Sequence, residues 1–278
     1  MKPPKEVILT ERILKERQLC NNCLGRQFPR FKPELTTMEK GILLRFLAET
    51  KTKGWNSEGY TWVELSNLFE RQSCELCNGI FEKIDNIVNR LVEELRDYEF
   101  ENFLCGAKIP FQITEKEDRL RSKYKLKGES LRKDIVREVG LRLNELLKKE
   151  TRFSDPDIKI VFEPLKDQLD VRITTKPIFL HVQYIAESNL NIKEKIKGFF
   201  LKEFDAESVK MKISPSHDPL VKGNSFTLRI TNPKKRTVSH QKTILPDGIE
   251  VTEIEEIIKE DRKVSKWKLS LHTPIGLK

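Results

Sequence analysis

At 278 residues, 37% of them hydrophobic, the chain has room for about two domains and can bury real cores, so no metal need be its only source of stability. Its 52 Lys and Arg against 43 Asp and Glu leave a net charge of +9, which suits a polyanionic partner, nucleic acid first, the other reading being a heat- or salt-adapted surface. No apolar run approaches the roughly 20 residues of a membrane span, and Met1-Lys2-Pro3-Pro4-Lys5-Glu6 lacks the apolar core of a signal peptide, so a spanning helix and a secretory leader are not expected.

In chain order, Val7 to Gln18 is predicted as a short helix delivering Cys20-Asn21-Asn22-Cys23, which runs on into Leu24-Gly25-Arg26. Arg26, Arg30 and Lys32 then surround Phe28 and Phe31. Such residues either grip RNA or pack around a metal site, and packing is the favoured reading. Thr36-x-x-Glu39 forms a capping box, opening a helix with Ile42, Leu43, Phe46 and Leu47 on one face. A second helix is expected over Trp62 to Phe69. Next comes Cys74-Glu75-Leu76-Cys77, followed by Asn78-Gly79. Two Cys-x-x-Cys pairs, each with a glycine close behind, suit a tetrahedral four-thiolate zinc site made of Cys20, Cys23, Cys74 and Cys77. All ligands would be protein atoms, so the metal is expected to staple structure. The alternatives are unrelated buried thiols or a redox dithiol, which would need no twin. Cysteines in metal spacing suit a reducing cytoplasm, and Cys105, in an apolar strand, is expected to be an inert core thiol.

From Gly79 an amphipathic helix is predicted, carrying Ile80, Ile84, Ile87, Val88, Leu91, Val92 and Leu95 at helical spacing. A strand over Asn102 to Ile109 stops at Pro110. A basic stretch follows with Arg119, Arg121, Lys123, Lys125 and Lys127. Ser130 is a good N-cap for a helix with Leu131, Ile135, Val139, Leu143, Leu146 and Leu147 on one side and Arg132, Lys133, Arg137 and Arg142 elsewhere. A helix N-terminus flanked by cations offers a phosphate site, the alternative being a solvated charged face. Strands are expected at Ile158 to Phe162, Leu169 to Thr174 and Ile178 to Ile185. The last is nearly continuously apolar, as a fully buried strand would be, with His181 a packed core histidine. In the tail, Ser208 to Ile213 and Phe226 to Ile230 alternate as strands, Lys234, Lys235 and Arg236 form a basic turn, Val251 to Lys259 is predicted as a short helix, and Ser265 to Leu271 as a last strand.

These residues resemble a known family, the archaeal tRNA pseudouridine synthases of the "Pus-ten" type. Leu19-Cys20-x-x-Cys23-Leu24-Gly25-Arg26-Gln27-Phe28, Thr36-Thr37-Met38-Glu39-Lys40-Gly41 and Cys74-x-x-Cys77-Asn78-Gly79-Ile80-Phe81 resemble its cysteine module. Gly106-Ala107-Lys108-Ile109-Pro110, Gly128-Glu129-Ser130-Leu131-Arg132-Lys133 and Lys176-Pro177-Ile178-Phe179-Leu180 resemble its THUMP domain. The likeness runs from about residue 7 to 187. It implies an α+β protein with a helical zinc-binding module (1–78), an α/β THUMP-like RNA-binding domain (79–187) and a small mixed or antiparallel β unit (188–278) as a degenerate remnant of the synthase fold. It also implies tRNA as partner, bound at the acceptor-stem end largely by backbone and shape. The expected RNA contacts are Arg121, Lys123, Lys125, Lys127, Ser130, Arg132, Lys133, Arg137, Lys234, Lys235 and Arg236.

The resemblance breaks where the family places its catalytic motif. Asn224-Ser225-Phe226 through Asn232-Pro233-Lys234-Lys235-Arg236 resembles the strand after that motif, and in this register Ala206-Glu207-Ser208 stands where Arg-Glu-Asp is expected. Ser208 thus occupies the position of the catalytic aspartate and has neither its charge nor its basicity, while Asp205 or Asp218 would serve only in another register. The synthase part is expected to be truncated, with no catalytic residue. The implied function is tRNA binding in tRNA modification without isomerase chemistry, with a separate modifying enzyme as an expected partner. The alternatives are an active synthase on the TΨC arm, or a zinc-module protein–protein adaptor.

Overall fold

The computed structural model describes residues 3–53, 74–166, 168–186, 191–214, 224–237, 243–245 and 249–257. The expected helix at Trp62 to Phe69 and strand at Ser265 to Leu271 lie outside them, as does Asp218. The class is α+β, and the chain divides into two compact units, residues 1–176 and 177–278.

The first unit begins with α1 (Lys5–Glu16), the short α2 (Asn21–Gly25) and α3 (Thr37–Lys53). The capping box of α3 is formed: Thr36 N–H donates to the Glu39 carboxylate at 2.7 Å, and Glu39 N–H donates back to the Thr36 hydroxyl at 3.2 Å. Helices α2 and α3 touch backbone to backbone. A Cβ on Gly25 would lie 1.8 Å from the Thr37 carbonyl oxygen, and one on Gly41 would lie 1.9 Å from that of Asn21. Only glycine permits this approach. After the second cysteine pair, a 3-10 turn (Ile80–Lys83) leads into α4 (Ile84–Leu95), so the predicted helix is entered through a tighter first turn. Ile84, Ile87, Val88, Leu91 and Leu95 are its buried face.

The strands β1 (Asn102–Ala107), β2 (Glu150–Thr151), β3 (Ile158–Glu163) and β4 (Asp170–Thr175) form a mixed sheet in the order β2-β1-β3-β4. Strand β1 runs parallel to β2 and β3, and β4 is antiparallel to β3. The basic stretch is largely helical, as α5 (Phe111–Tyr124), and α6 (Leu131–Leu147) buries Leu131, Ile135, Val139 and Leu143. One continuous core joins the helical module to this sheet, from Val7 and Leu24 through Leu91 to Phe103 and Phe162. Cys105 is buried within it, its thiol pushed up to about 12 by burial.

The second unit is a five-stranded antiparallel sheet in the order β6-β7-β5-β9-β8, from β5 (Ile178–Ala186), β6 (Ser208–Ser214), β7 (Asn224–Thr231), β8 (Thr243–Leu245) and β9 (Ile249–Glu256), with α7 (Ile192–Glu203). Three expectations change here. Strand β5 is the centre of this sheet, so the units divide at Lys176 and Pro177, ahead of residue 187. It is also buried on one face only: Ile178, Leu180, Val182 and Tyr184 point into the core with Ile196 and Phe200 of α7, whereas Gln183 and Ile185 are exposed and His181 is half-buried rather than packed in the core. The predicted helix at Val251 to Lys259 is instead strand β9, drawn into the sheet by ladders to β5 and β8.

Candidate metal centre and basic surface

The two cysteine pairs reach one point by different local routes. Cys20 is the N-cap of α2, its sulfur accepting from Cys23 N–H at 3.5 Å, so both thiols lie on one side of a single helical turn. Cys74 and Cys77 flank a turn closed by Asn78 N–H to the Cys74 carbonyl at 2.9 Å. That turn exits through Asn78 and Gly79 at φ 49° and 73°, left-handed values that favour glycine. Glu75 N–H donates to the Gln18 carbonyl at 3.1 Å and ties the second turn to the entry of the first. The four sulfurs all lie within 4.8 Å of one another, and Cys20 and Cys77 are 3.6 Å apart. A tetrahedron with metal–sulfur bonds of about 2.3 Å has sulfur–sulfur edges of about 3.8 Å, so the set fits a four-thiolate metal ion. Without a cation the cluster cannot hold four negative charges: burial pushes the Cys23 thiol up, while hydrogen bonds from the Cys20 and Cys23 thiols hold Cys74 down.

Two buried guanidinium groups flank the sulfurs. Arg45 donates to the Asn21 side-chain oxygen at 3.1 Å and to the Leu19 carbonyl at 2.6 Å. Arg26 is fully buried and donates to the Cys23 sulfur at 3.4 Å. A divalent ion with four thiolates carries a net charge of −2, so these cations lower the cost of burying it.

Arg26 also connects the centre to the sheet domain. Its guanidinium forms an ion pair with the buried Glu117 of α5 and donates to the Glu129 carbonyl at 3.0 Å, while its own carbonyl accepts from Glu129 N–H at 2.8 Å. Both Glu117 carboxylate oxygens accept from Leu131 N–H, the first residue of α6, at 3.2 Å, and one also accepts from Arg121 at 3.2 Å. In the basic-and-aromatic segment after Cys23, Arg26 and Phe28 are therefore packing material, as favoured from the sequence, whereas Arg30 and Lys32 are exposed. Apart from Arg121 four residues on, nothing local marks Glu117, because Arg26 lies 91 residues upstream and Leu131 14 downstream (117 − 26 and 131 − 117).

This rearranges the expected RNA contacts. The α6 N-terminus is largely satisfied from within, since Glu117 takes Leu131 N–H and the Ser130 hydroxyl accepts from Lys133 N–H at 3.3 Å. Arg121 is held by Gln27 at 3.2 Å and by Glu117, and burial pulls its pKa down. Lys123 pairs with Glu16, Lys133 with Glu129 at 2.9 Å, and Arg137 with Glu129 at 2.8 Å and with Asp134. Lys125, Lys127 and Arg132 are exposed and have no ion pair among the described residues. Lys125 is itself the left-handed C-cap of α5, with φ 52°. In the second unit Lys234 pairs with Asp205 at 2.9 Å and Lys235 is exposed. Ser208 opens β6, half-buried and paired in register with Thr231.

Comparison with known proteins follows this division. Residues 87–163 match the archaeal Pus10 THUMP domain. A tRNA pseudouridine synthase Pus10 of Pyrococcus furiosus is 28% identical over 94% of this chain and 65% of its own length. One from Picrophilus torridus is 34% identical over 61% of this chain and 41% of its own. One from Nitrosopumilus maritimus is 25% identical over 98% of this chain and 74% of its own. The chain thus spans less than two thirds of the first two of these proteins. Among the described residues no helix is long and apolar enough to cross a membrane. With its convergent cysteines and its match to the THUMP model, the chain is similar to the archaeal Pus10-type proteins.

Proposed function

We propose that this chain binds tRNA and acts in tRNA modification without isomerase chemistry of its own, as a cytoplasmic protein working beside a separate modifying enzyme. The observation that carries the first half is the THUMP match over residues 87–163, joined by the exposed cations Lys125, Lys127 and Arg132 on α5, α6 and the loop between them. For the second half, Ser208 replaces the carboxylate that must act on the flipped-out nucleotide. Nearby Asp205 is exposed and engaged with Lys234. The metal in this reading is zinc, held by Cys20, Cys23, Cys74 and Cys77, and its role is to cross-link the helical module. The functional parts are the cysteine module to residue 78, the RNA-binding domain from 79, and the second sheet.

Binding is tested by titrating an unmodified tRNA transcript across a salt series. Wild type should bind with an affinity falling steeply with salt, and Lys125→Glu/Lys127→Glu/Arg132→Glu should weaken binding and reduce the log–log slope by up to about 2–3, near one per lost phosphate contact. Salt-independent binding, or none, would favour the protein–protein adaptor. The names of the relatives favour a second reading, an active synthase on the TΨC arm. Mapping pseudouridine in the same transcript after incubation separates the two, because stoichiometric product would end the inactive reading.

A further inference from the structure

The second unit holds a cavity of about 440 Å³ between the first turns of α7 and strands β5, β6 and β7, within the size range of small-molecule sites. One of its walls is a buried tyrosine. The pleat of β5 turns Tyr184, with Leu180 and Val182, toward α7. Tyr184 is only 7% exposed, and burial pushes its pKa up, so it stays a neutral donor. It lines the cavity, and its hydroxyl has no hydrogen-bond partner among the described residues. Buried tyrosine hydroxyls usually have one.

The helix side of the cavity supplies more donors. Helix α7 starts at Asn191, which has a left-handed φ of 57° and a side chain that makes no cap bond. The Asn191 carbonyl accepts from Glu194 N–H at 3.1 Å and from Lys195 N–H at 3.2 Å. The first two amides, of Ile192 and Lys193, have no acceptor inside the helix. This end carries partial positive charge and attracts an anion. Lys193 and Glu194 both line the cavity, so their side-chain charges offset one another. One negative charge therefore suits the site better than a doubly charged phosphate. The remaining wall is apolar. The Tyr184 and Phe226 rings lie 5.3 Å apart between centroids at 51°, and the half-buried Met211 thioether joins them. Tilted rings and a polarizable sulfur suit a flat aromatic body.

We propose that this cavity binds a small aromatic carboxylate, its ring against Phe226 and Met211 and its carboxylate between the Tyr184 hydroxyl and the first amides of α7. The site lies within the second unit and does not depend on RNA binding.

The chain has three methionines, Met1, Met38 and Met211, so isotope-labelled methionine methyl groups report on the site in the full chain. Titration with 2-naphthoate should shift the Met211 methyl resonance, assigned with Met211→Leu, and saturate with a Kd on the order of 0.1–1 mM. The Met38 methyl should not move. Neutral 2-naphthamide should bind about tenfold more weakly. Tyr184→Phe keeps the ring and removes the donor, and should weaken 2-naphthoate about tenfold, as expected for a hydrogen bond to a charged group. Asn191→Asp adds a negative charge where the helix end favours one, so it should fold and still lose binding. The unbound Met211 resonance of each variant confirms its fold. No saturable Met211 shift by about 5 mM, a shift at Met38 instead, equal binding of the amide, or unchanged affinity in either folded variant would overturn the proposal.

Discussion

Replacing Arg26 by Met keeps the volume of the side chain's stem and removes the cation between the metal centre and the sheet domain. It leaves Glu117, 2% exposed, without its fully buried partner. Breaking a buried pair by removing one member costs about 3–5 kcal/mol. Here Leu131 N–H and Arg121 remain on the carboxylate, so the lower end, about 3 kcal/mol, is expected. For a unit of this size, 1 kcal/mol moves the midpoint by about 2–4 °C, which gives a fall of about 6–12 °C. The same substitution removes the donor to the Cys23 sulfur, and loss of such an outer contact lowers metal affinity about 10–100-fold. The double variant Arg26→Met/Glu117→Gln removes the stranded charge and should recover most of the lost stability without recovering metal affinity. Thermal unfolding and chelator competition on wild type, both single variants and the double variant close a thermodynamic cycle. Additive losses, or a cost of Arg26→Met below about 1 kcal/mol, would refute a role for the pair in joining the two parts.

Three further outcomes follow from the same region. Asp134 is fully buried, and burial raises its pKa from 3.8 to about 6 against the opposing pull of Arg137 and Arg26. The folded state therefore holds a proton that the unfolded chain has released, and rising pH between about 4 and 6 weakens the fold by up to about 3 kcal/mol (2.2 × 1.36). The stability difference between wild type and Asp134→Asn, from urea unfolding, should drift by that amount across this window, whereas parallel curves would count against it. Gly41→Ala places a methyl group against the Asn21 carbonyl oxygen and should cost about 3 kcal/mol with a loss of metal affinity; a change within about 0.5 kcal/mol would show that α2 and α3 can separate freely. Metal removal by chelator should render four of the five cysteines reactive to a thiol reagent while buried Cys105 stays slow. Equal reactivity with and without chelator would mean that no metal protects the cluster.

What the sequence alone determined is what short range dictates. Two residues between thiols, a threonine three before a glutamate, and apolar residues at helical spacing specify the knuckles, the α3 cap and the α4 face without reference to distant chain. The basic stretch was likewise legible as a concentration of charge. Which of those charges are spent internally was not. Arg121 and Arg132 look alike in sequence, yet one is held by Gln27 and Glu117 and the other faces solvent. Glu117 reads as one more surface glutamate until folding sets it between Arg26 and the start of α6. Residues 251–259 carry a pattern compatible with a helix, and only the ladders to β5 and β8 make β9 a strand. Strand β5 reads as doubly buried because apolar content reports hydrophobicity but not which faces receive a cover. Tertiary structure decided these cases for one physical reason: ion pairs and strand ladders depend on partners far away in the chain, and a residue's own neighbours carry no record of them.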